Sequence, residues 1–505
     1  MSDRNKKKNN LLIKITQTHI SSRILLCCVV ICLITCIVLH AELTNVEKKY
    51  NVILANLPTY NEDTKELDES ESVVAVNDSA NSYAINDSIL TPELTTASEY
   101  LVSSAYAKDY MRRYVYSLAF EEQLKKSVEV AYPNDVGAHD SNMVIIDGVA
   151  YIVYCGSEVK GTVDNAGGEF AKVRLIQWDI ERQSPISYEV VAENKTKIED
   201  CFISIGAGQP NIIRVSADTL RIIFSTYIEQ DGVELSCIAA CDYSLINKTF
   251  SDYKLLKLQD REGGYILLNP ALINQKYPKA IRKDCTLSDD QLRTVQPQMN
   301  ATISYDGENY YACILAGSTM KGLVMTSKDL ISWQYVCVPP SEICAAFECA
   351  VAYSNDNLYL AFRQQGSNSK YSQYGVDNLS LDGYANGMPV YKYNLTTEEF
   401  TDVAYLPDSS TRPEFFWKDD KLYLIHGGWA GRGSGYVTMI NQENLRLSSI
   451  VRESRNAGNY QYCSVAEYNS KLYMCWSKGK IAFAQFDIDN YIDVDGTVRK
   501  LFGID

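Results

Sequence analysis

YCSVAEYNSKLYMCWS, residues 462–477, reads as strand, tight turn, strand. Apolar residues dominate YCSVAEY, Asn469 and Ser470 tolerate the positive φ that a two-residue hairpin demands, and KLYMCWS is almost wholly apolar. The pattern has occurred before. It is seen in SNMVIIDGVAYIVYC from Ser141, PNIIRVSADTLRIIFS from Pro210 and QMNATISYDGENYYACI from Gln298. It returns in ECAVAYSNDNLYLAFR from Glu348 and PEFFWKDDKLYLIHG from Pro413. Recurrence at intervals of roughly fifty to ninety residues predicts a radial array, an all-β six-bladed β-propeller over residues 131–495, with an open sandwich as the alternative.

Outside the repeats the chain changes character. Lys6, Lys7, Lys8, Lys14 and Arg23 make residues 1–23 a basic tail, and ILLCCVVICLITCIVL follows without a charge. Residues 24–40 are therefore expected to be a signal anchor or a cleaved signal peptide, with everything after them exported. On this reading the protein is membrane-anchored by residues 24–40 or secreted. Residues 41–98 are polar and acidic, as in NEDTKELDESES, and read as a stalk. Residues 99–130 carry apolar positions at helical spacing and read as a helical lead-in, and 496–505 are a short tail. Eleven cysteines lie beyond the apolar run, so at least one is unpaired within the chain, and none shows metal-binding spacing. The net charge of −15 argues against a nucleic-acid partner. The 36 tyrosines suit strands and carbohydrate-stacking surfaces. SKDLISW, from Ser327, has the spacing of an Asp-box, in which an aspartate caps a turn over a packed tryptophan. Oligomeric state is left open.

In a propeller, the inner strands all begin at one face of the central axis. The residues at the repeat starts are thus expected to face a common pocket: His139, Asp140, Gln209, Gln298, Glu348, Arg412 and Tyr462. Arg363 ends the second strand of its repeat, Arg432 lies in HGGWAGRGSGY, and Asp164 lies in GTVDNAGG.

These residues carry a resemblance to the sialidases and trans-sialidases, six-bladed propellers that cleave terminal sialic acid. In that family the last blade opens Y-S-S-V…D-K-L-Y-C-L. YCSVAEYNSKLYMCW is similar, which implies that Tyr462 is the nucleophile. The family's glutamate and an arginine fifteen residues later match Glu348 and Arg363 in ECAVAYSNDNLYLAFR. The resemblance further implies Asp164 as acid/base and Arg432 with Arg363 as the grip on the substrate carboxylate. Where the family opens blade one with an arginine in R-I-P, this chain has AHDSNMV, so His139 or Asp140 stands there, and Arg412 is a candidate substitute. A glycan substrate, and no metal or organic cofactor, follow from this chemistry. A carboxylate on the anomeric carbon repels an Asp or Glu nucleophile, whereas a phenol beside a carboxylate base avoids the clash. Three other readings stay open. One is a non-catalytic carbohydrate-binding propeller; another is a lyase using His139 and Tyr462; the third is a furanosidase using Asp140 and Glu348.

Overall fold

The computed structural model describes residues 120–488 except 160–169, 231, 283–284, 300–301, 317–318, 340–345, 365–387, 407–410, 428–434, 455–460 and 478. The expected anchor, the stalk, most of the helical lead-in, Asp164, Arg432 and the C-terminal tail lie outside the described residues.

Six sheets of four to six strands, each built around one of the repeat hairpins, give the arrangement of a six-bladed propeller. The hairpins are those of the repeats. Blade one pairs Gly137–Ile146 with Val149–Ser157, and blade six pairs Gln461–Tyr468 with Lys471–Ser477. Their turns are left-handed at both central residues: Asp147 and Gly148 in blade one, Asn469 and Ser470 in blade six. Blades four and five repeat this with Asn355–Asp356 and Asp419–Asp420. Asn and Asp reach this region at less cost than other side chains, because they hydrogen-bond locally there. Second strands are buried on both faces, as in KLYMCWS after its first lysine, because each sheet is covered by the blades on either side.

Blade six also contains Val128–Glu129, which lies within the segment read as helical lead-in. It pairs antiparallel with Ile481–Phe486, so both ends of the described chain share one sheet, with Val128–Glu129 as its short edge strand. Blade three is enlarged: Lys257–Gln259 runs parallel to Ser332–Cys337 and extends that sheet. Two short helices precede its inner strand, Pro270–Lys276 and Asp289–Arg293. Within SKDLISW, Asp329 Oδ1 accepts from the amides of Ile331 and Ser332, Leu330 takes a φ of 60°, and Trp333 is fully buried. The ten described cysteines outside the N-terminal run are all free thiols, and most are buried.

Candidate active site

The inner strands share a backbone irregularity that builds the site. In blades one, two, four and six, two residues of the inner strand oppose one residue of the second strand. Such a bulge bends the strand and re-aims a side chain. Asp140, Gln209 and Tyr462 each stand two residues before the paired residue that follows, namely Asn142, Asn211 and Ser464. Their φ values are 56°, 49° and 55°. Left-handed geometry costs a non-glycine residue about 1 kcal/mol, and such strain concentrates at functional sites. Arg412 holds the same place relative to Glu414 in blade five. Asp140, Gln209, Arg412 and Tyr462 therefore share one row.

The residues opposite the bulges form a second row. Tyr154, Phe224 and Trp476 fill this place in blades one, two and six, each fully buried. In blade four the place is Arg363, an arginine in an aromatic position. Its charge is met by Glu348 in the facing bulge: Arg363 Nη1 donates to Glu348 Oε1 at 2.8 Å and Oε2 at 2.7 Å. The same nitrogen donates to the Tyr462 phenol oxygen at 3.2 Å. Glu348, Arg363 and Tyr462, from two blades and distant parts of the sequence, thus meet at one nitrogen. All three are buried. Burial opposes the charge on Arg363, but the Glu348 carboxylate more than offsets this and holds the guanidinium protonated. Burial, reinforced by the negative Glu348, pushes the Tyr462 phenol well above its ordinary value, and Arg363 works against that rise. The phenol is therefore neutral at neutral pH.

Blade one supplies the roof. The His139 ring meets the Tyr462 ring edge-on, with centroids 4.2 Å apart, and His139 Nδ1 lies 3.3 Å from Asp140 Oδ2. Arg412 is fully buried, with its guanidinium carbon 5.7 Å from the centre of the Tyr462 ring. Its Nη2 donates to the carbonyls of Ser141, Tyr462 and Cys463. Gln209 and Gln298 lie along the seam of blades two and three. Ser225 Oγ sits between Pro297 O and Gln209 Oε1, and the Gln298 backbone pairs with Leu315.

Two titratable groups beneath this layer were not singled out by sequence. Glu414 accepts from Ser464 Oγ at 3.3 Å, and burial pushes its carboxyl up to about 7 against the pull of Arg412. His426, opposite Arg412 in blade five, is fully buried and pushed down to about 4 by burial. Glu414 directly follows "TRP" at a strand start, and His426 falls within an apolar strand, where neither pattern marks ionisation. The two groups have opposite effects on stability. Glu414 binds a proton more tightly folded than unfolded, so its contribution falls as pH rises from about 4.5 to about 7, by about 3 kcal/mol. His426 binds a proton less tightly when folded, so its contribution rises by about 3 kcal/mol from pH about 4 to about 6.5. In the parent they cancel over most of that range. Relative to the parent, Glu414→Gln is expected to gain stability as pH rises, and His426→Phe to lose it. Urea midpoints across this range check both; differences from the parent that do not vary with pH would contradict the assignment.

No family model matches the chain, and no curated protein sequence matches it. Solved structures do. One is the Trypanosoma rangeli sialidase in complex with sialic acid, at 12% identity and a TM-score of 0.45, covering 75% of this chain and 59% of that one. Another is the NanB sialidase from Streptococcus pneumoniae, at 11% identity and a TM-score of 0.41, covering 72% and 70%. The chain is similar to sialidases. A glycosyl hydrolase from Bacteroides ovatus is also similar, at 9% identity and a TM-score of 0.36, covering 70% and 84%. The chain spans less than two thirds of the Trypanosoma rangeli structure, and what its own site does rests on its own geometry.

Proposed function

We propose that this protein is an exported glycoside hydrolase that removes a terminal acidic sugar of the sialic acid type from glycoconjugates. The observation that carries the reading is the buried meeting of Tyr462, Glu348 and Arg363 at one guanidinium nitrogen. A neutral phenol beside a buried carboxylate suits attack on an anomeric carbon that bears a negative charge. Glu348 takes the phenol proton as the Tyr462 oxygen bonds to the anomeric carbon. The bond to the leaving oxygen breaks, and that oxygen takes a proton from Asp164. Water then displaces Tyr462, with Asp164 as base and the proton on Glu348 returning to the phenolate. Arg363 and Arg432 bind the substrate carboxylate through charge-assisted hydrogen bonds. On this reading residues 24–40 place the propeller outside the cytoplasm, as an anchor or as a removed signal.

A second reading, a carbohydrate-binding propeller without turnover, is favoured by one observation: His139 and Asp140 open blade one where an arginine would grip a carboxylate. A fluorogenic α-sialoside separates the two. Under the hydrolase reading the full-length chain releases the fluorophore, and Asp164→Ala slows release by at least about 100-fold, the scale of a general acid. The loss is smaller for substrates whose leaving group needs no proton. Sialoside binding without release, across pH and linkage, would leave the binding propeller standing.

A further inference from the structure

We infer that Arg412 and Glu414 are positioning residues for Tyr462, holding the bulge that aims its phenol. A bulge leaves backbone carbonyls without ladder partners, and buried carbonyls must find donors elsewhere. Arg412 supplies them from another blade. Its Nη2 donates to Ser141 O in blade one and to Tyr462 O and Cys463 O, at 3.5 and 3.3 Å, in blade six. Ser141 Oγ adds a second donor to Tyr462 O at 3.0 Å. The Tyr462 backbone is thus held from two neighbouring blades while its ring lies under the Arg412 guanidinium.

Glu414 completes the arrangement two residues further on. It accepts from Ser464 Oγ, whose oxygen accepts the Met143 amide at 3.2 Å, so the carboxylate also ties blade five to blades six and one. Among the described residues, Arg412 Nε and Arg412 Nη1 are buried without a hydrogen-bond partner. A fully buried cation matched this incompletely is a poor device for stability. Proteins retain such groups where function requires them. Arg412 Nη2 is committed to three backbone carbonyls, so that nitrogen is not offered to a substrate carboxylate.

The groups facing Glu414 bear on any pH effect. Arg412 is the charged one, the Cys463 and Cys475 thiols approach from blade six, and Thr302 and Ser464 bring neutral hydroxyls. His426 on the paired strand is neutral through the range concerned. Ionisation of Glu414, near pH 7, is therefore the local event that changes how well Arg412 is compensated.

The test reads Tyr462 directly, in the full-length chain carrying a fluorotyrosine at position 462 alone, by fluorine NMR from about pH 5 to about 8.5. With His139→Phe as the background, so that the imidazole against the Tyr462 ring contributes nothing, the chain is expected to give one resonance with a shift step centred near pH 7, and Glu414→Gln to lose the step. Arg412→Ala is expected to split or broaden the resonance, and Arg412→Lys to keep it single. With the fluorogenic sialoside, Arg412→Ala is expected to lose about 100-fold in kcat with KM within about twofold. A step that persists in Glu414→Gln, or a parent-like resonance in Arg412→Ala, would overturn the inference. So would a raised KM with kcat unchanged, which would make Arg412 a substrate arm. If Arg412→Ala does not fold, the step in Glu414→Gln decides. The rate arm rests on the hydrolase reading; a parent without turnover sinks that reading, while the resonances still judge the positioning.

Discussion

Tyr462→Phe is expected to cut sialoside release at least about 100-fold while leaving the fold and the glycan affinity nearly unchanged. The substitution removes one oxygen. That oxygen accepts a single described hydrogen bond, from Arg363 Nη1 at 3.2 Å, and the bond is to a cation already shared with Glu348. The ring remains, so the edge contact with His139 and the place beneath Arg412 are kept. Loss of one such hydrogen bond costs about 1 kcal/mol of stability. Rate and stability should therefore separate widely. Measured kcat with the fluorogenic sialoside, beside a urea midpoint, shows whether they do. A variant that turns over at the parent rate would remove Tyr462 from the chemistry.

The second large effect concerns stability. Arg363→Met leaves Glu348 buried without its cation and is expected to destabilise the propeller by about 3–5 kcal/mol. Glu348→Gln strands the opposite charge at a comparable cost. The double variant should recover much of the loss, since two neutral side chains of similar volume then fill the space between blades. Arg363 already occupies a place that takes Tyr, Phe or Trp in three other blades, so apolar filling is compatible with the architecture. Urea denaturation of the four proteins gives the coupling energy. Single variants costing under about 1 kcal/mol, and adding without interaction, would show that the pair is not buried as described.

The hairpins were legible because their information is local. Asp-Gly, Asn-Asp, Asp-Asp and Asn-Ser between apolar runs each announce a left-handed turn, and each forms one. Less local features were hidden. Arg412 in TRPEF has the same appearance whether it faces a pocket or the interior. Its burial depends on carbonyls freed by bulges in blades one and six, which no pattern around Arg412 records. Val128–Glu129 is too short to show any period, and its partner strand lies about 350 residues further along the sequence, at residues 481–486. The helices before the inner strand of blade three were missed although one bore a signal: Ser288 and Gln291 form a capping box.

Covalent trapping tests the central claim most directly. A 2,3-difluorosialic acid donor, incubated with the full-length chain, should slow release of the glycosyl-enzyme and leave its mass on one peptide. The account predicts that mass on the peptide carrying Tyr462, at the Tyr462 oxygen, with labelling lost in Tyr462→Phe. Turnover of sialosides with the label on another residue, or with none on Tyr462, would contradict it.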